Sequence, residues 1–321
     1  MRTIAELSLG FQMPNIGDLS FTSPIVVAPL CGISDFPFRQ LARDFGAELT
    51  YTEMLSAVAI QQGIPASLNF SFVKDEHPVS VQLFGRSPEA FAYAAAHYAS
   101  LGADIIDINM GCSVKKVLKQ GAGAALQRDL TLVKKVLRAL RRVLSIPLTL
   151  KCRLGWSSLE ENFIDLAQLA QDEGVDAICL HPRYATQLFT GTADWSKFNA
   201  LRSHTSLPII GSGDVKASEQ IKEKLRSYPI QFVMVGRALI GNPWLISDFH
   251  QSPNPALRET LCRHFELLCA YYPEKKAAHH FRKYIAKYLK GHPRARELRL
   301  LGNEFSCQAD FVRFIDLEFQ T

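Results

Sequence analysis

The sequence of 321 residues predicts an α/β protein: a (β/α)8 TIM barrel over residues 1–250, followed by a small all-helical domain over residues 251–321. Eight short β-branched runs alternate with helical patterns over roughly 220 residues, close to the about 250 residues that such barrels usually occupy. After a proline-rich break at 252–255 the pattern is helical only. The alternative, a doubly wound sheet that binds a dinucleotide, needs GxGxxG directly after its first strand. The nearest match, at 121–126, lacks the third glycine and does not follow a strand directly.

Each barrel element has its own signal in the sequence. Short apolar pieces between turn residues over 1–23 predict a small hairpin that covers one end of the barrel. The strands are predicted from short apolar runs at 24–29, 48–53, 78–84, 105–109, 147–153, 177–181, 208–212 and 231–236. Helical spacing with capping signals, such as Asp35 before the first helix and Gly102 after the second, predicts helices at 36–45, 88–101, 130–144, 160–173 and 217–226. Beyond the break we predict helices at about 256–272 and 275–289, a segment from about 293, and a last helix after 308.

Composition excludes several classes of protein. No apolar run reaches the ~18 residues that a bilayer span needs, and the N-terminus lacks a basic-then-apolar signal pattern. We therefore expect a cytoplasmic protein without a membrane partner. The seven cysteines are an odd number without CxxC pairs, which argues against a disulfide framework and a zinc site, so we predict no metal. No sequence feature defines the oligomeric state, and we expect a monomer.

The C-terminal domain concentrates positive charge. Between residues 275 and 299, nine lysines and arginines stand against the single acid Glu297. Five aromatic residues lie among or just before them: Tyr271, Tyr272, Phe281, Tyr284 and Tyr288. Two interpretations are open. The segment is either a surface for a phosphate backbone with exposed bases, or a solvated helix face whose aromatic residues pack inward.

Polar residues and glycines collect where the predicted strands end, and in a barrel the loops that follow the strands form the active face. These strand ends are 28–31, Gln82, Asn109 with Cys112, Lys151 with Arg153, His181 with Arg183, 212–214, and 236–237. Glycine-flanked loops after the last two strands are typical of phosphate sites. A polar ring without a metal cluster favours a phosphate-bearing organic cofactor over hydrolytic chemistry. From its position alone, Cys112 is either a small buried residue or a reactive thiol.

Several segments, in this order, resemble the tRNA-dihydrouridine synthases, and most of all their bacterial B-type branch. The segments are APL at 28–30, VQLFG at 81–85, DINMGCSVKKV at 107–117, KCRLGW at 151–156, HPRYATQLFTGTADW at 181–195, SGD at 212–214 and GRALIGNPW at 236–244. The resemblance runs from about residue 16 to residue 300 and includes the basic segment FRKYIAKYLKG at 281–291. The order and spacing of the motifs make it specific.

The resemblance implies an FMN-bearing barrel and a helical tRNA-binding domain that reduce uridines of tRNA to 5,6-dihydrouridine, with NADPH as reductant. It implies hydride transfer from reduced FMN to uracil C6 and a proton from Cys112 to C5. Free thiols titrate near ~8.5 and are protonated at neutral pH, as a general acid must be. The matching motifs assign FMN contacts to Pro29, Leu30, Cys31, Gln82, Lys151, His181, Ser212, Gly213, Asp214, Gly236 and Arg237. Lys151 would stabilise the negative charge of the reduced flavin. RNA contacts are assigned to Asn109, Lys115, Lys116, Arg153, Arg183, Arg282, Lys283 and Lys287.

Three motifs depart from the family pattern: GCS at 111–113 where GCP is usual, HPRY at 181–184 in place of HGRT, and SGD at 212–214 in place of NGD. Without the proline, the loop around the proposed acid has more freedom.

Two alternative functions remain. A different FMN-dependent TIM-barrel oxidoreductase acting on a small molecule would leave the basic domain unexplained. A non-catalytic RNA-binding barrel would explain the altered motifs.

Overall fold

A computed structural model of the chain, which describes residues 15–64 and 76–319, contains a closed barrel of parallel strands. In chain order the strands are β1 (Asn15–Ile16), β2 (Leu19–Ser20), β3 (Ile25–Val27), β4 (Leu49–Tyr51), β5 (Leu55–Ser56), β6 (Val79–Phe84), β7 (Ile105–Met110), β8 (Leu148–Arg153), β9 (Ala177–His181), β10 (Ile209–Ser212) and β11 (Phe232–Val235). The ring runs β3, β4, β6 and then β7 to β11 in order, and the pairing of β11 with β3 closes it. The predicted eight-stranded barrel is confirmed.

Helices surround the barrel and continue beyond it. They are α1 (Phe36–Asp44), α2 (Ala57–Gln61), α3 (Pro88–Ser100), α4 (Lys115–Leu118), α5 (Ala124–Gln127), α6 (Leu130–Arg141), α7 (Phe163–Asp172), α8 (Lys197–Arg202), α9 (Ser218–Ser227), α10 (Trp244–His250), α11 (Leu257–Tyr271), α12 (Glu274–Tyr288), α13 (Ala295–Asn303) and α14 (Gln308–Glu318). Within residues 15–64 and 76–319, no helix has both the length and the apolar character that a membrane span requires.

The short elements were not predicted. Helices α2, α4, α5, α8 and α10 span seven residues or fewer. Two turns or less cannot display a helical apolar period, which explains why the pattern missed them. Helix α7 also begins later than predicted, because Gly155 and Glu161 form an antiparallel bridge just before it.

The N-terminal hairpin β1–β2 closes the end of the barrel at which the parallel strands begin, where Gly17 lies against Pro147. Ile16 is fully buried, and Phe21 packs edge-on against Phe232 with ring centroids 5.5 Å apart. Both belong to the apolar cluster that fills the barrel interior next to the hairpin. Val26, Tyr51, Ile105 and Met234 are among its other members. The predicted hairpin is confirmed for residues 15–20, whereas residues 1–14 lie outside the described part of the chain.

The C-terminal helices pack on α1 of the barrel, and their core is continuous with the outer barrel core. Phe38 of α1 stacks on Tyr284 of α12 with centroids 6.3 Å apart, and Arg263 of α11 pairs with Asp44 at 2.7 Å. Helix α10 ends at His250, and a segment without regular secondary structure connects it to α11, which begins at Leu257. The two parts nevertheless share one apolar interface.

The interleaved aromatic residues of α12 face inward. Phe281 and Tyr284 are 0% exposed and Tyr288 is 5% exposed, and the three pack around the buried His264 of α11. Their helical spacing of three to four residues puts them on one face, which is the core face. Of the two interpretations above, the inward-packed one is correct for these three residues, so none of them offers a stacking platform for a base.

Candidate active site

Side chains from four neighbouring strands point into the barrel at the ends where β6 to β9 stop. The register pairs Gln82 with Asp107, Asn109 with Lys151, and Arg153 with His181. Side chains two positions apart on a strand share a face, so Asp107 and Asn109 both face the interior. The strand ends therefore bring together the polar groups that the sequence predicted at this face.

A chain of hydrogen bonds runs through this layer of the barrel. The Thr149 hydroxyl donates to Asp107 Oδ1 at 2.6 Å, and Gln82 Nε2 donates to Asp107 Oδ2 at 2.7 Å. Asn109 Nδ2 then donates to Gln82 Oε1 at 2.7 Å. Asn109 Oδ1 accepts from the backbone N–H of Cys112 at 2.9 Å. A buried polar chain thus ends at the loop that carries the predicted acid.

Cys112 lies half-buried at the start of this loop. Its carbonyl accepts from the backbone N–H of Ala124 at 3.0 Å, which brings the beginning of α5 back onto the loop. Gly123 adopts φ +61°, and a Cβ there would lie 2.6 Å from the Cys112 carbonyl oxygen, so the close approach requires glycine. The Ser113 hydroxyl, where proline was expected, lies 3.4 Å from the Gly111 carbonyl. The loop is thereby held from several sides without the proline.

Arg153 is buried and acts as a clamp between loops. Its Nε donates to the Gly111 carbonyl at 2.9 Å, and its Nη1 donates to the carbonyls of Tyr184 at 2.9 Å and Leu188 at 2.8 Å. The loop after β9 is thereby tied to the Cys112 loop. Phe189, at the tip of that loop, is 58% exposed and lies under the guanidinium groups of Arg153 and Arg237, with centroid distances of 5.6 Å and 4.6 Å.

Arg183 is almost fully buried and organises the ends of β9 and β10. Its Nη2 donates to Asp214 Oδ2 at 2.6 Å and to the Gly191 carbonyl at 2.8 Å, and its Nε donates to the Thr190 carbonyl at 3.2 Å. Its Nη1 donates to His181 Nε2 at 2.9 Å. Because these donors are already engaged, Arg183 holds the site together, and the predicted contact with RNA would have to replace some of these bonds.

The neighbouring residues of strand β10 complete this corner. Asp214 has φ +57°, and Gly213 packs so tightly that a Cβ would meet the His181 ring at 2.8 Å. Although partial burial opposes ionisation, the Ala193 N–H and the Arg183 guanidinium hold the pKa of Asp214 below its usual range. Ser212 is buried at the strand end, and beyond β11 Gly236 packs against Ala28 and Leu30.

His181 is a neutral side chain inside a positive field. Burial, followed by the charges of Lys151, Arg153, Arg183 and Arg237, lowers its pKa to about 2. Its Nε2 accepts from Arg183, so the remaining ring proton is on Nδ1. Four cations converging on one strand end form a strong anion-attracting region at the mouth of the barrel.

Acidification should destabilise the fold through the buried histidines. Burial lowers the pKa of His264 to about 3, and that of His181 is about 2. In the unfolded chain both take up protons near ~6.5, which the folded state does not, so the free energy of unfolding falls as the pH drops below ~6.5. Asp107 acts in the opposite sense, since burial raises its pKa to about 6 and its protonation recovers part of the loss. We expect a net decrease of about 3 kcal/mol from pH 7.5 to pH 5, measured by urea unfolding.

The variant His264→Phe is the matched test of that pH dependence. Phenylalanine replaces the His264 imidazole within its aromatic cluster and adds no titrating group, so only His181 still contributes. The decrease in unfolding free energy from pH 7.5 to pH 5 should therefore shrink by about 2 kcal/mol. An unfolding free energy that is unchanged between pH 7.5 and pH 5 in the parent protein would contradict the prediction.

The loop after β3 is held by the C-terminal helices. The backbone of Leu30 is bonded to Ser34 Oγ at 2.8 Å, and Asp35 caps α1. Tyr272 Oη donates to Asp35 Oδ2 at 3.0 Å, and Lys283 Nζ donates to the Gly32 carbonyl. The predicted flavin-lining residues Pro29 and Leu30 are half-buried and Cys31 is exposed, on a loop that the helical domain positions directly.

The predicted RNA-contact residues have different environments. Lys115, Lys116 and Lys287 are exposed. Arg282 is bonded to the Phe305 carbonyl through Nε at 2.8 Å, which fixes the start of the last helical segment. Lys283 is engaged with the barrel loop, as described above. The exposed lysines are therefore available to a phosphate, whereas the nitrogens of Arg282 and Lys283 hold parts of the fold together.

Sequence reasoning missed several residues of this site. No role was assigned to Asp107, although it is an acid within a buried strand and opens the motif DINMGCSVKKV, and none was assigned to Thr149. Their signal was positional, since Asp107 lies two residues before Asn109 and thus on the same face. Phe189 had no signal beyond its motif.

A cavity of about 730 Å³ beside α2 and α6, lined by Ser56, Arg86 and Lys135 among others, contains none of the predicted site residues. In the described part of the chain, no three His, Cys, Asp or Glu side chains form a potential metal site.

Similar sequences among known proteins point to one family. Residues 26–321 match the model of the family described as "Dihydrouridine synthase (Dus)". The chain is 35% identical over 299 residues to tRNA-dihydrouridine synthase B of Xanthomonas campestris, which covers 90% of each chain. It is 33% identical over 318 residues to the probable tRNA-dihydrouridine synthase of Rickettsia bellii, with 94% of this chain and 98% of that protein covered.

Among solved structures, the old yellow enzyme homologue from Zymomonas mobilis superposes with a TM-score of 0.55 at 15% identity, covering 77% of this chain and 94% of that one. Histamine dehydrogenase from Rhizobium sp. 4-9 gives a TM-score of 0.58 at 11% identity, covering 82% of this chain and 51% of that one. At such identities these two likenesses show the barrel fold alone. The family match spans the barrel and the helical domain together, and the chain belongs to the dihydrouridine synthase family.

Proposed function

We propose that this protein reduces uridines of tRNA to 5,6-dihydrouridine in a flavin-dependent reaction, with NADPH as the reductant. The observation that carries the proposal is the placement of Cys112 beside a cationic strand-end ring, in a chain of the dihydrouridine synthase family. The relatives named tRNA-dihydrouridine synthase B support tRNA as the substrate class.

The residues of the ring fit an anionic, aromatic cofactor such as FMN. Lys151, Arg153 and Arg237 supply positive charge near a neutral His181, which suits a phosphate and a ring that becomes negative on reduction. The Gln82 amide sits in the same layer. Ser212, Gly213, Asp214, Gly236 and Arg237 lie at the ends of β10 and β11, where barrels bind phosphate. The half-buried Pro29 and Leu30, together with Cys31, form the facing loop. When bound, FMN supplies the hydride.

In this proposal Cys112 is the proton donor to uracil C5. A general acid needs access to the substrate together with a fixed position, and the half-buried thiol on a loop bonded at both ends meets both needs. Asn109 lies between this loop and Gln82, within the same polar layer, and is a candidate to contact the uracil edge. Arg153 keeps the Cys112 loop and the loop after β9 at a fixed separation.

The exposed lysines give a testable RNA contribution. Lys115 and Lys116 begin α4 directly after the Cys112 loop, and Lys287 lies on the exposed face of α12. Each lysine that neutralises a phosphate adds about one counterion to the salt dependence of binding. For the double variant Lys115→Ala/Lys116→Ala we expect weaker tRNA binding and a slope of log K against log salt that is less steep by about two.

The matched control for that prediction is Lys222→Ala, which removes a half-buried lysine from α9 whose ammonium lies 5.6 Å from the centroid of the Phe249 ring. Its slope should equal that of the parent protein. Binding would be measured by fluorescence anisotropy with unmodified tRNA over a range of salt concentrations. An unchanged slope in the double variant would place the RNA elsewhere.

The function as a whole is tested by mapping dihydrouridine at nucleotide resolution in tRNA from cells with and without the protein. We expect at least one position to lose the modification without the protein and to regain it when the purified, flavin-loaded protein and NADPH are added. Unchanged modification at every position would overturn the proposal, and flavin reduction by NADPH without an RNA product would favour a small-molecule substrate.

A further inference from the structure

We propose that Asp107 is a positioning residue for the Cys112 loop, because it fixes the direction of the hydrogen bonds that run through Gln82 and Asn109 to the Cys112 backbone N–H. Neither end of this chain can be reversed. The ionised Asp107 carboxylate only accepts, and a peptide N–H only donates.

The two amides between these ends have one consistent orientation. With Asp107 accepting from Gln82 Nε2, the Gln82 oxygen must face Asn109, and the Asn109 oxygen must then face the N–H groups of Gly111 and Cys112. If either amide turned over, two acceptors or two donors would face each other inside the barrel. Such a mismatch costs more than the loss of an exposed hydrogen bond, because buried polar groups find no water as a substitute.

Packing alone does not account for this arrangement. Asp107 is 0% exposed, Gln82 1% and Asn109 7%, at depths where apolar residues of similar size would avoid the cost of desolvation. Within this series of hydrogen bonds, each amide donor of Gln82 and Asn109 that faces a neighbour meets an acceptor, and each such oxygen meets a donor. The Thr149 hydroxyl donates to the second Asp107 oxygen. A fully matched buried network specifies one geometry, which here is the geometry of the loop around Cys112.

The test compares Asp107→Leu, which removes the acceptor, with Asp107→Asn, which can keep it. In the latter variant the side-chain oxygen can still accept from Gln82 while the new amide N–H donates to the Thr149 hydroxyl, since a hydroxyl also accepts. Asp107→Ala, which is smaller, serves as a second acceptor-free variant if the leucine does not fold. Ser80→Ala is the matched control, because it removes a buried hydroxyl from the same strand as Gln82, one interior position below it.

The primary readout is amide hydrogen exchange of the flavin-loaded protein, followed at the peptide that contains Gly111 and Cys112. In Asp107→Leu we expect exchange at this peptide to quicken about tenfold or more, while exchange in strand β9 stays as in the parent protein. In Asp107→Asn and in Ser80→Ala, exchange at this peptide should equal that of the parent protein. Unchanged exchange at Gly111 and Cys112, or a rise spread equally over the chain, would overturn the proposal. This readout does not depend on the reaction that the protein catalyses.

A second measurement connects the positioning role with catalysis, and it rests on the proposed function. Dihydrouridine formation should fall about 30-fold in Asp107→Leu, equivalent to about 2 kcal/mol at 1.36 kcal/mol per factor of ten. In a Cys112→Ala background the same substitution should cost less than about threefold, because its effect passes through Cys112. Equal losses in both backgrounds would show that Asp107 acts by another route. If the parent protein forms no dihydrouridine, the proposed function fails while the exchange test still decides the positioning role.

Discussion

Replacing Cys112 by alanine is expected to lower dihydrouridine formation by about 10²–10⁴-fold, the usual contribution of a positioned general acid. The loop should keep its shape, because its contacts to Asn109 and Ala124 are made by the Cys112 backbone and not by the thiol. The purified variant should therefore retain its flavin and its reduction by NADPH. The measurement is a single-turnover assay on unmodified tRNA, with flavin reduction and product formation followed separately.

Cys262→Ala is the matched control, since it removes a half-buried thiol from α11 without touching the barrel mouth. It should react at the rate of the parent protein. A fully active Cys112→Ala protein would remove the proton-donor role and leave the flavin site standing, whereas loss of flavin would point to a structural role for the thiol.

The second large effect is expected for Arg183→Met, which should lower the free energy of unfolding by about 2–3 kcal/mol. Methionine fills much of the same space, but it leaves the carboxylate of Asp214 without its charged partner and the carbonyls of Thr190 and Gly191 without a donor. Arg183 is fully buried, but the Asp214 carboxylate is 29% exposed, so water partly replaces the lost donors and the cost stays below that of a fully buried pair. The measurement is urea unfolding at pH 7.5, with flavin content recorded in parallel.

Arg138→Met provides the contrast. Arg138 pairs with Glu173 at 2.8 Å on the exposed face of α6, where water screens the interaction, so no measurable change in unfolding free energy is expected. Equal stability of the two variants would contradict a structural role for the Arg183 network.

The barrel was predictable because its signals are local. Runs such as 177–181 are apolar on both faces, as strands covered by helices must be, and the structure places β9 at Ala177–His181. The predicted positions of His181, Gln82 and Asn109 at one face follow from the parallel strand order alone. Residues far apart in sequence meet there because each strand ends at the same edge of the barrel.

The helical domain shows where local signals stop. The sequence left two interpretations for the aromatic residues of α12, since the same spacing serves a core face and a nucleic-acid surface. Packing against α1 and α11 decided for the core. The same packing turned Lys283 toward the Gly32 carbonyl and Arg282 toward Phe305, which no charge count could anticipate.

The sequence by itself determined the barrel, the helical domain and the residue types at the strand ends, because periodicity and capping are written in neighbouring residues. The tertiary structure decided which of those residues act on one another. Only the strand register brings Thr149, Asp107 and Gln82 into one layer. Only the folded loops surround His181 with cations, and only the closed barrel ends a buried chain of hydrogen bonds at Cys112. Such contacts join distant segments, and their free energy comes from burial that no single segment possesses.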